Sequence, residues 1–236
     1  AYMLAPSSNP YLVKGLMNGR RMRVISQSPN IKGAIPVLRS VDERKGIEFT
    51  WSCWVFIDDI HYRANQYRHI FHKGNDDINM TSAPIGMNFP NNAPGLYIAP
   101  NKNDLVVIMN TFKTIKEEIV IEDIPINKWM NVIIRCQNTL LDIYLNGNLI
   151  KRHKLSGVPK QNYGDVYVAM NGGFSGYLSN LRYHNESLSL KSIKSIVSDG
   201  PNLKTNEKTD IDTNNPPYLS LKWIFTGNSK NVNEPL

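Results

Sequence analysis

The chain has 236 residues, of which 41% are hydrophobic and 20% are charged, so a polypeptide that is disordered over its main body is excluded. The net charge of +7 would suit an anionic partner, but the positive charge is spread along the chain, and its one tight cluster, Arg20, Arg21 and Arg23, has no interleaved aromatic residues. Nucleic acid is therefore not an expected partner. No apolar run reaches the roughly 20 residues of a membrane helix, so we expect membrane attachment only through a segment upstream of Ala1, if one exists.

The first 45 residues combine several prolines and glycines with only short apolar stretches. Both residue types interrupt regular secondary structure. We therefore predict that residues 1–45 form an N-terminal arm, which lies over the domain surface or over a neighbouring molecule.

The first strong strand signal begins at Gly46. From there to Ile57 apolar residues occupy every second position, and this alternation predicts a β-strand. Trp54 and Phe56 make the second face apolar as well, so we expect this strand to be covered on both sides near its end.

Further strand candidates follow at short intervals, separated by loops rich in Asn, Pro and Gly. They are Tyr67–Lys73, Gly95–Ala99, Leu105–Asn110, Glu118–Ile124, Trp129–Gln137, Leu140–Leu145, Leu149–Lys154, Asp165–Met170 and Gly176–His184. The clearest local signal is Asn146-Gly147, since these residue types supply the positive φ angles of a tight hairpin turn. Short strands at this spacing are typical of a β-sandwich or jelly roll.

One short helix is predicted after the last of these strands. Apolar residues at 190, 193, 196 and 197 share a helical face, Ser187 or Ser189 is the expected N-cap, and Gly200 is expected to stop the helix. Residues 199–236 are predicted to form a polar linker and then a returning edge strand at Tyr218–Phe225.

The two cysteines, Cys53 and Cys136, lie inside apolar strand patterns and have no zinc-ligand spacing. We expect buried, reduced thiols, which favours folding in a reducing compartment; one bridge between adjacent strands is the alternative.

Four segments share a pattern with a known family. They read GIEFTWSCWVFI at 46–57, WMNVII at 129–134, LDIYLNG at 141–147 and GFSGYLSNLRY at 173–183. This succession resembles the laminin-G-like, concanavalin A-type family, in which a strand with Trp precedes a W-x-x-V/I strand, a D-x-Y-x-N-G hairpin and an F-x-G-x-I/L strand. The resemblance implies an all-β, two-sheet antiparallel sandwich over residues 46–198.

Two further segments, HIFHKGN at 69–75 and NYGDVYVAMN at 162–171, are similar to proteins encoded by giant double-stranded DNA viruses of algae and amoebae. This resemblance implies a virion protein, made in the host cytoplasm, that builds a minor capsid or particle-surface component without catalysis. Its expected partners are other virion proteins, held through the N-terminal arm and the C-terminal tail. A module that attaches the particle to cell-surface glycans is the alternative.

A glycoside hydrolase on the same fold is the third hypothesis, and the sequence opposes it. Such enzymes carry an E-x-D-x-x-E strand, whose carboxylates act as nucleophile and acid. Glu118 and Glu122 share a strand face but have the wrong spacing. We therefore predict that the chain is not an enzyme.

No cofactor is expected, although calcium has one candidate site. Asn75, Asp76, Asp77 and Asn79 form the one loop that is dense in the oxygen ligands calcium prefers. The same residue types also form turns for backbone reasons alone.

A sugar site would combine an aromatic ring that stacks on a pyranose with side chains that order its hydroxyl groups. The sequence offers two groups of candidates on predicted loops and strand ends. They are Tyr62, Arg63, Tyr67 and Arg68 in the first group, and Asn91, Asn92 and Tyr97 in the second.

Overall fold

The computed structural model describes residues 6–40 and 46–205, and these residues form an all-β fold with one short helix. The predicted edge strand at Tyr218–Phe225 lies outside the described residues. The one helix within these ranges is not long and apolar enough to cross a membrane.

Within residues 6–40 and 46–205 there are twelve strands and one helix. In chain order they are β1 (Tyr11–Asn18), β2 (Arg23–Ile25), β3 (Glu48–Asp59), β4 (Arg68–Gly74), β5 (Gly95–Ile98), β6 (Leu105–Met109), β7 (Glu117–Ile121), β8 (Trp129–Gln137), β9 (Leu140–Leu145), β10 (Asn148–Lys154), β11 (Asp165–Val168), β12 (Ser175–His184) and α1 (Leu190–Asp199).

The strands form two six-stranded antiparallel sheets that pack face to face. Sheet A has the order β1-β12-β3-β8-β9-β10, and sheet B has the order β2-β11-β4-β5-β6-β7. One large apolar core fills the space between them. This arrangement confirms the predicted two-sheet sandwich.

β3 shows why the alternating sequence places this core. Trp51, Cys53 and Val55 point into the space between the sheets, while Trp54 and Phe56 belong to a second apolar cluster on the outer face of sheet A. The predicted cover on both sides of this strand is therefore confirmed.

The N-terminal segment differs from the prediction of an arm. β1 pairs with β12 at one edge of sheet A, and β2 pairs with β11 at one edge of sheet B. The sandwich thus begins at Tyr11 instead of Gly46, and each of the two strands pairs along one edge with a strand of the fold.

The predicted hairpin turn and helix are both present. Asn146 and Gly147 have positive φ angles of 50° and 82° between β9 and β10. Ser189 caps α1 by accepting a hydrogen bond from Ser192 N, and Gly200 follows its last residue. The helix lies on the outer face of sheet A, where Ile193 is fully buried.

Both cysteines are free and buried, as predicted. In the β3–β8 ladder Cys136 lies opposite Phe49, whereas Cys53 lies opposite Val132, so the two thiols face different partners. Burial raises the pKa of each thiol to about 12. Thiols with such pKa values are inert at neutral pH.

Candidate functional site

The second group of predicted sugar ligands lies inside the protein. Tyr97 on β5 is buried beneath the loop 75–94, which crosses the outer face of sheet B, and Asn92 is a buried residue of that loop. The Tyr97 hydroxyl donates to Asn92 Oδ1 at 2.6 Å and accepts from Asn88 N at 3.2 Å. Burial raises the Tyr97 pKa, so the hydroxyl stays protonated. The half-buried Asn91 donates its backbone N–H to Asn75 Oδ1 at 3.2 Å.

Arg68 is also buried and has a structural role. Its guanidinium group donates to the carbonyl oxygens of Ile60, Ala99 and Lys102, which lie in loops at the start of β4 and the end of β5. Tyr67 is half-buried and packs edge-on against Tyr97 at 6.2 Å. These side chains hold the loops to sheet B and are not displayed to a ligand.

Tyr62 and Arg63 are the remaining two candidates and lie on a loop nearer the surface. The Tyr62 hydroxyl donates to the Gly172 carbonyl at 2.9 Å, and Arg63 donates to the carbonyl of Asn171. The guanidinium carbon of Arg20 lies 4.4 Å from the centroid of the Tyr62 ring. One face of this ring is therefore covered, and the seven predicted residues do not form one surface.

The predicted calcium loop uses its amide oxygens within the protein. Asn75 Oδ1 accepts from Asn88 Nδ2 at 3.1 Å, and Asn79 Oδ1 accepts from the backbone of Thr81 and Ser82. Its two aspartates are exposed. Over residues 6–40 and 46–205, no group of three or more His, Cys, Asp or Glu side chains could hold a metal ion. Calcium binding by this loop stays a prediction.

The two carboxylates weighed for hydrolysis lie at an exposed sheet edge. Glu118 belongs to β7, an outermost strand of sheet B, and pairs with Lys116 at 3.3 Å. Glu122 follows the end of this strand and is exposed. This arrangement corresponds to a solvated strand edge.

A pocket on the outer face of sheet A has the mixed character of a ligand site, and we call it the helix-edge pocket. It occupies about 390 Å³, including its open mouth, between α1 and strands β1, β12, β3 and β8. It is lined by Tyr11, Ser52, Trp54, Asn131, Asn180, Arg182, Ile196, Asp199 and Gly200.

The floor of the pocket follows from strand register. Trp54 lies directly opposite Asn131 in the β3–β8 ladder, and Ser52 lies opposite Arg182 in the β3–β12 ladder. Because opposite residues share a face, two cross-strand pairs place an indole, an amide, a hydroxyl and a guanidinium group together.

The wall on the β1 side is held by Arg182. Its guanidinium carbon lies 4.4 Å from the centroid of the Tyr11 ring, its Nη1 donates to the Tyr11 hydroxyl at 3.2 Å, and its Nε donates to the Asn9 carbonyl at 3.0 Å. Asn180 Oδ1 accepts from Gly15 N at 2.9 Å and so ties β12 to β1. These contacts fix the polar groups before any ligand arrives.

Asn131 is the unusual residue of this pocket. It is fully buried, its Nδ2 donates to the Cys53 carbonyl at 3.3 Å, and its Oδ1 has no hydrogen-bond partner among the described residues. A buried acceptor without a partner costs free energy, so a ligand hydroxyl that donated to it would recover that loss.

The exposed carboxylate of Asp199 stands on the opposite rim, at the last residue of α1. A negative charge at a helix C-terminus opposes the helix dipole, so its position is not explained by helix stability. The pocket thus combines donors, acceptors and ring edges, an arrangement that can order the hydroxyl groups of a polar ligand.

Sequence reasoning missed this pocket because its residues come from five elements that are far apart in the chain. A weak signal was present: Ser52 and Asn131 interrupt otherwise apolar strands. Polar residues in such strands are often only satisfied core groups, so the interruption alone predicts no site.

A family model described as the concanavalin A-like lectin/glucanases superfamily, of the laminin G type, matches residues 34–194. A search of curated protein sequences gave no significant match.

Solved structures with a similar fold include receptor-binding domains of botulinum neurotoxins. The receptor-binding domain of neurotoxin D superposes with a TM-score of 0.54 at 12% identity, over 81% of this chain and 52% of that one. The binding domain of serotype G gives 0.50 at 15% identity, over 78% and 46%. The serotype D ligand-binding domain in complex with N-acetylneuraminic acid gives 0.50 at 12% identity, over 80% and 51%. This chain therefore spans about half of each matched structure, and at these identities the likeness concerns the fold alone.

Proposed function

Because the chain belongs to the concanavalin A-like lectin/glucanases superfamily, we propose that it is a non-catalytic module that binds a glycan in the helix-edge pocket. The observation that carries this proposal is the buried Asn131 carbonyl, an unused acceptor beside the ring of Trp54 and the guanidinium group of Arg182. Such a set of groups matches the hydroxyl-rich faces of a sugar.

The absence of catalysis is part of the proposal. Glu118 and Glu122 lie at the edge of sheet B, in different strands from the pocket lining. Asp199 is the one carboxylate among the residues that line the pocket, whereas glycoside hydrolysis generally needs a pair. Turnover of any polysaccharide by the purified chain, lost when Glu118 is replaced, would contradict this part.

Opposite charges on the pocket rim favour a neutral sugar. Arg182 and Asp199 contribute one positive and one negative charge, and the other lining residues are uncharged. The likeness to a neurotoxin domain in complex with N-acetylneuraminic acid is compatible with glycan recognition by this fold, although that sugar is acidic.

A glycan array probed with the full chain, with and without calcium, tests the proposal. We expect binding to a restricted set of glycans with a shared terminal sugar, and the same set without calcium, because the pocket contains one carboxylate. A blank array in both conditions would make the proposal wrong.

The biological setting that we propose is the surface or capsid of a virus particle, where the module would attach the particle to a cell. The support for this setting is the similarity of residues 69–75 and 162–171 to proteins of giant viruses. Mass spectrometry of purified virions, followed by mild detergent and salt extraction, tests it. We expect the chain in the particles, and its absence would contradict the setting without affecting the glycan proposal.

A further inference from the structure

Three loops meet at one end of sheet B, and we call this region the loop end. They are residues 75–94 between β4 and β5, 110–116 between β6 and β7, and 155–164 between β10 and β11. Because neighbouring strands of this sheet are antiparallel, these connections emerge at the same end.

Hydrogen bonds hold the three loops together. Lys160 N donates to the Asn110 carbonyl at 2.8 Å, Phe112 N donates to the Val158 carbonyl at 3.1 Å, and Asn110 Nδ2 donates to the Pro90 carbonyl at 2.9 Å. The loop tips are therefore fixed relative to one another.

Each loop displays a large apolar side chain to solvent. Phe112 is 71% exposed, Ile115 53%, Phe89 52% and Val158 42%. Phe89 and Ile115 also line a mainly apolar pocket between the loops. Apolar side chains scattered singly over a surface need no explanation, but here four of them are gathered at one end of one sheet.

Positive charge surrounds the two most exposed of these side chains. Lys113 and Lys116 lie in the same loop as Phe112, and Lys160 Nζ lies 5.7 Å from the centroid of the Phe112 ring. The acidic residues of the three loops are Asp76 and Asp77, which belong to the loop of Phe89. Directly after the loop of Phe112, Glu118 pairs with Lys116 at 3.3 Å and the Glu117 carboxylate accepts hydrogen bonds from Ser156. The positive charge next to Phe112 therefore comes from Lys113 and Lys160.

We infer that the loop end docks on a lipid bilayer that contains anionic phospholipid. Phe112 and Ile115 enter the interface between headgroups and acyl chains, and the neighbouring lysines contact the headgroups. Apolar side chains flanked by lysines bind anionic membranes through these two contributions together.

The shape of the loop end favours a bilayer over a protein partner. Its apolar side chains stand on separate loop tips, and a fluid bilayer accepts separate insertions. A stable protein interface needs a continuous, close-packed area of about 800 Å² on each partner. The inference does not depend on the glycan proposal, because the two surfaces share no residue.

Flotation of the full chain with vesicles tests the inference. Vesicles of phosphatidylcholine alone are compared with vesicles of phosphatidylcholine mixed with phosphatidylserine. We expect flotation with the mixed vesicles and its weakening by added salt. The double variant Phe112→Ser/Ile115→Ser should lower the bound fraction at least about fivefold.

Matched controls separate this effect from loss of folding. The variant Ile31→Ser/Leu190→Ser removes two exposed apolar side chains that lie outside the loop end, with exposed fractions of 55% and 59%. It should float to the same extent as the unchanged chain. Lys113→Gln/Lys160→Gln should lower binding and reduce its salt dependence, while Lys191→Gln/Lys194→Gln should not.

Two results would overturn the inference. One is that the unchanged chain floats with neither kind of vesicle, in which case the loop end would be a binding surface for a protein. The other is that the loop variants and their controls float equally well. Glycan binding by the Phe112→Ser/Ile115→Ser variant should be unchanged, so failure of one proposal is distinguishable from failure of the other.

Discussion

Two buried histidines of β4 in sheet B contact each other: His69 Nε2 and His72 Nδ1 lie 2.6 Å apart. Met170 N donates to His69 Nδ1 at 3.0 Å, and His72 Nε2 contacts the Asn75 carbonyl at 2.8 Å. The network assigns one proton per ring: His69 Nε2–H donates to His72 Nδ1, and His72 Nε2–H donates to the carbonyl. A second proton on either ring would face another donor, so both rings are neutral.

Stability should therefore fall as the pH drops from 7 to 5. Burial lowers the His72 pKa from 6.5 to about 4. Burial also lowers the His69 pKa well below its usual value, and the neighbouring His72 adds to this effect. Burial also lowers the His184 pKa to about 4. Since the folded pKa values lie below the unfolded ones, the stabilisation is complete above pH 6.5 and is lost as the pH falls toward 4.

Urea unfolding at pH 7 and pH 5 measures this loss. Each such histidine contributes up to about 1.4 kcal/mol per pH unit within that window. The exposed His61 provides the control, because His61→Gln should leave the pH dependence unchanged. An unfolding free energy that stays constant over this range would contradict the assignment.

Arg68 and Arg63 make a matched pair for testing the buried guanidinium group. Arg68→Met leaves the carbonyl oxygens that Arg68 serves without a donor, and we expect a loss of at least about 2 kcal/mol in unfolding free energy. Arg63→Met removes an exposed side chain and should cost much less. Equal losses of unfolding free energy in the two variants, measured by denaturant unfolding, would show that the burial of Arg68 does not add to its contribution to stability.

The thiols of Cys53 and Cys136 should resist alkylation in the folded protein. At pH 8 a pKa of about 12 leaves only a minute thiolate fraction, and both side chains are shielded from solvent. Iodoacetamide followed by mass spectrometry should detect no labelling of the native chain and two labels in urea. Rapid labelling of the native chain would mean that the sandwich opens readily at β3 and β8.

Asp199→Asn and Arg182→Gln should each weaken glycan binding, because both residues line the helix-edge pocket. Lys191 and Lys194 lie on the same helix but do not line the pocket. The variants Lys191→Gln and Lys194→Gln should therefore bind the glycan normally. Affinity is measured by calorimetry with the glycan that the array identifies.

Asp199→Asn has a second readout that separates a binding role from a structural one. Removing a negative charge from the C-terminal end of α1 should raise the melting temperature slightly. Weaker binding by a more stable protein would identify Asp199 as a ligand-binding residue. A variant that binds normally would remove it from the site.

The strands that the sequence predicted best have an uninterrupted pattern. β3 alternates without a break, and the residue types Asn146 and Gly147 identify the turn between β9 and β10. β1 was missed because register shifts between Tyr11 and Leu16 break its alternation, and β2 is only three residues long. The local alternation of apolar residues therefore does not predict strands such as β1 and β2, which form because they pair with other strands of the sheet.

The candidate site was harder to predict than the fold. Tyr97 and Asn92 have the residue types of a sugar site, but the loop 75–94 covers Tyr97 and turns its own Asn92 inward to bind the Tyr97 hydroxyl. A sequence does not state which face a long loop will cross. The helix-edge pocket depends on cross-strand partners such as Trp54 and Asn131. Such pairs become neighbours only when the register of distant strands is known.

The pairing of β1 with β12 has a consequence for synthesis. Tyr11 leaves the ribosome before its ladder partner Arg182, so this edge of the sheet stays open until the residues between them have been translated. Contacts between residues so distant in sequence close slowly, because the intervening chain must first be ordered. During that interval the apolar side chains of β1 lack their native partners on β12.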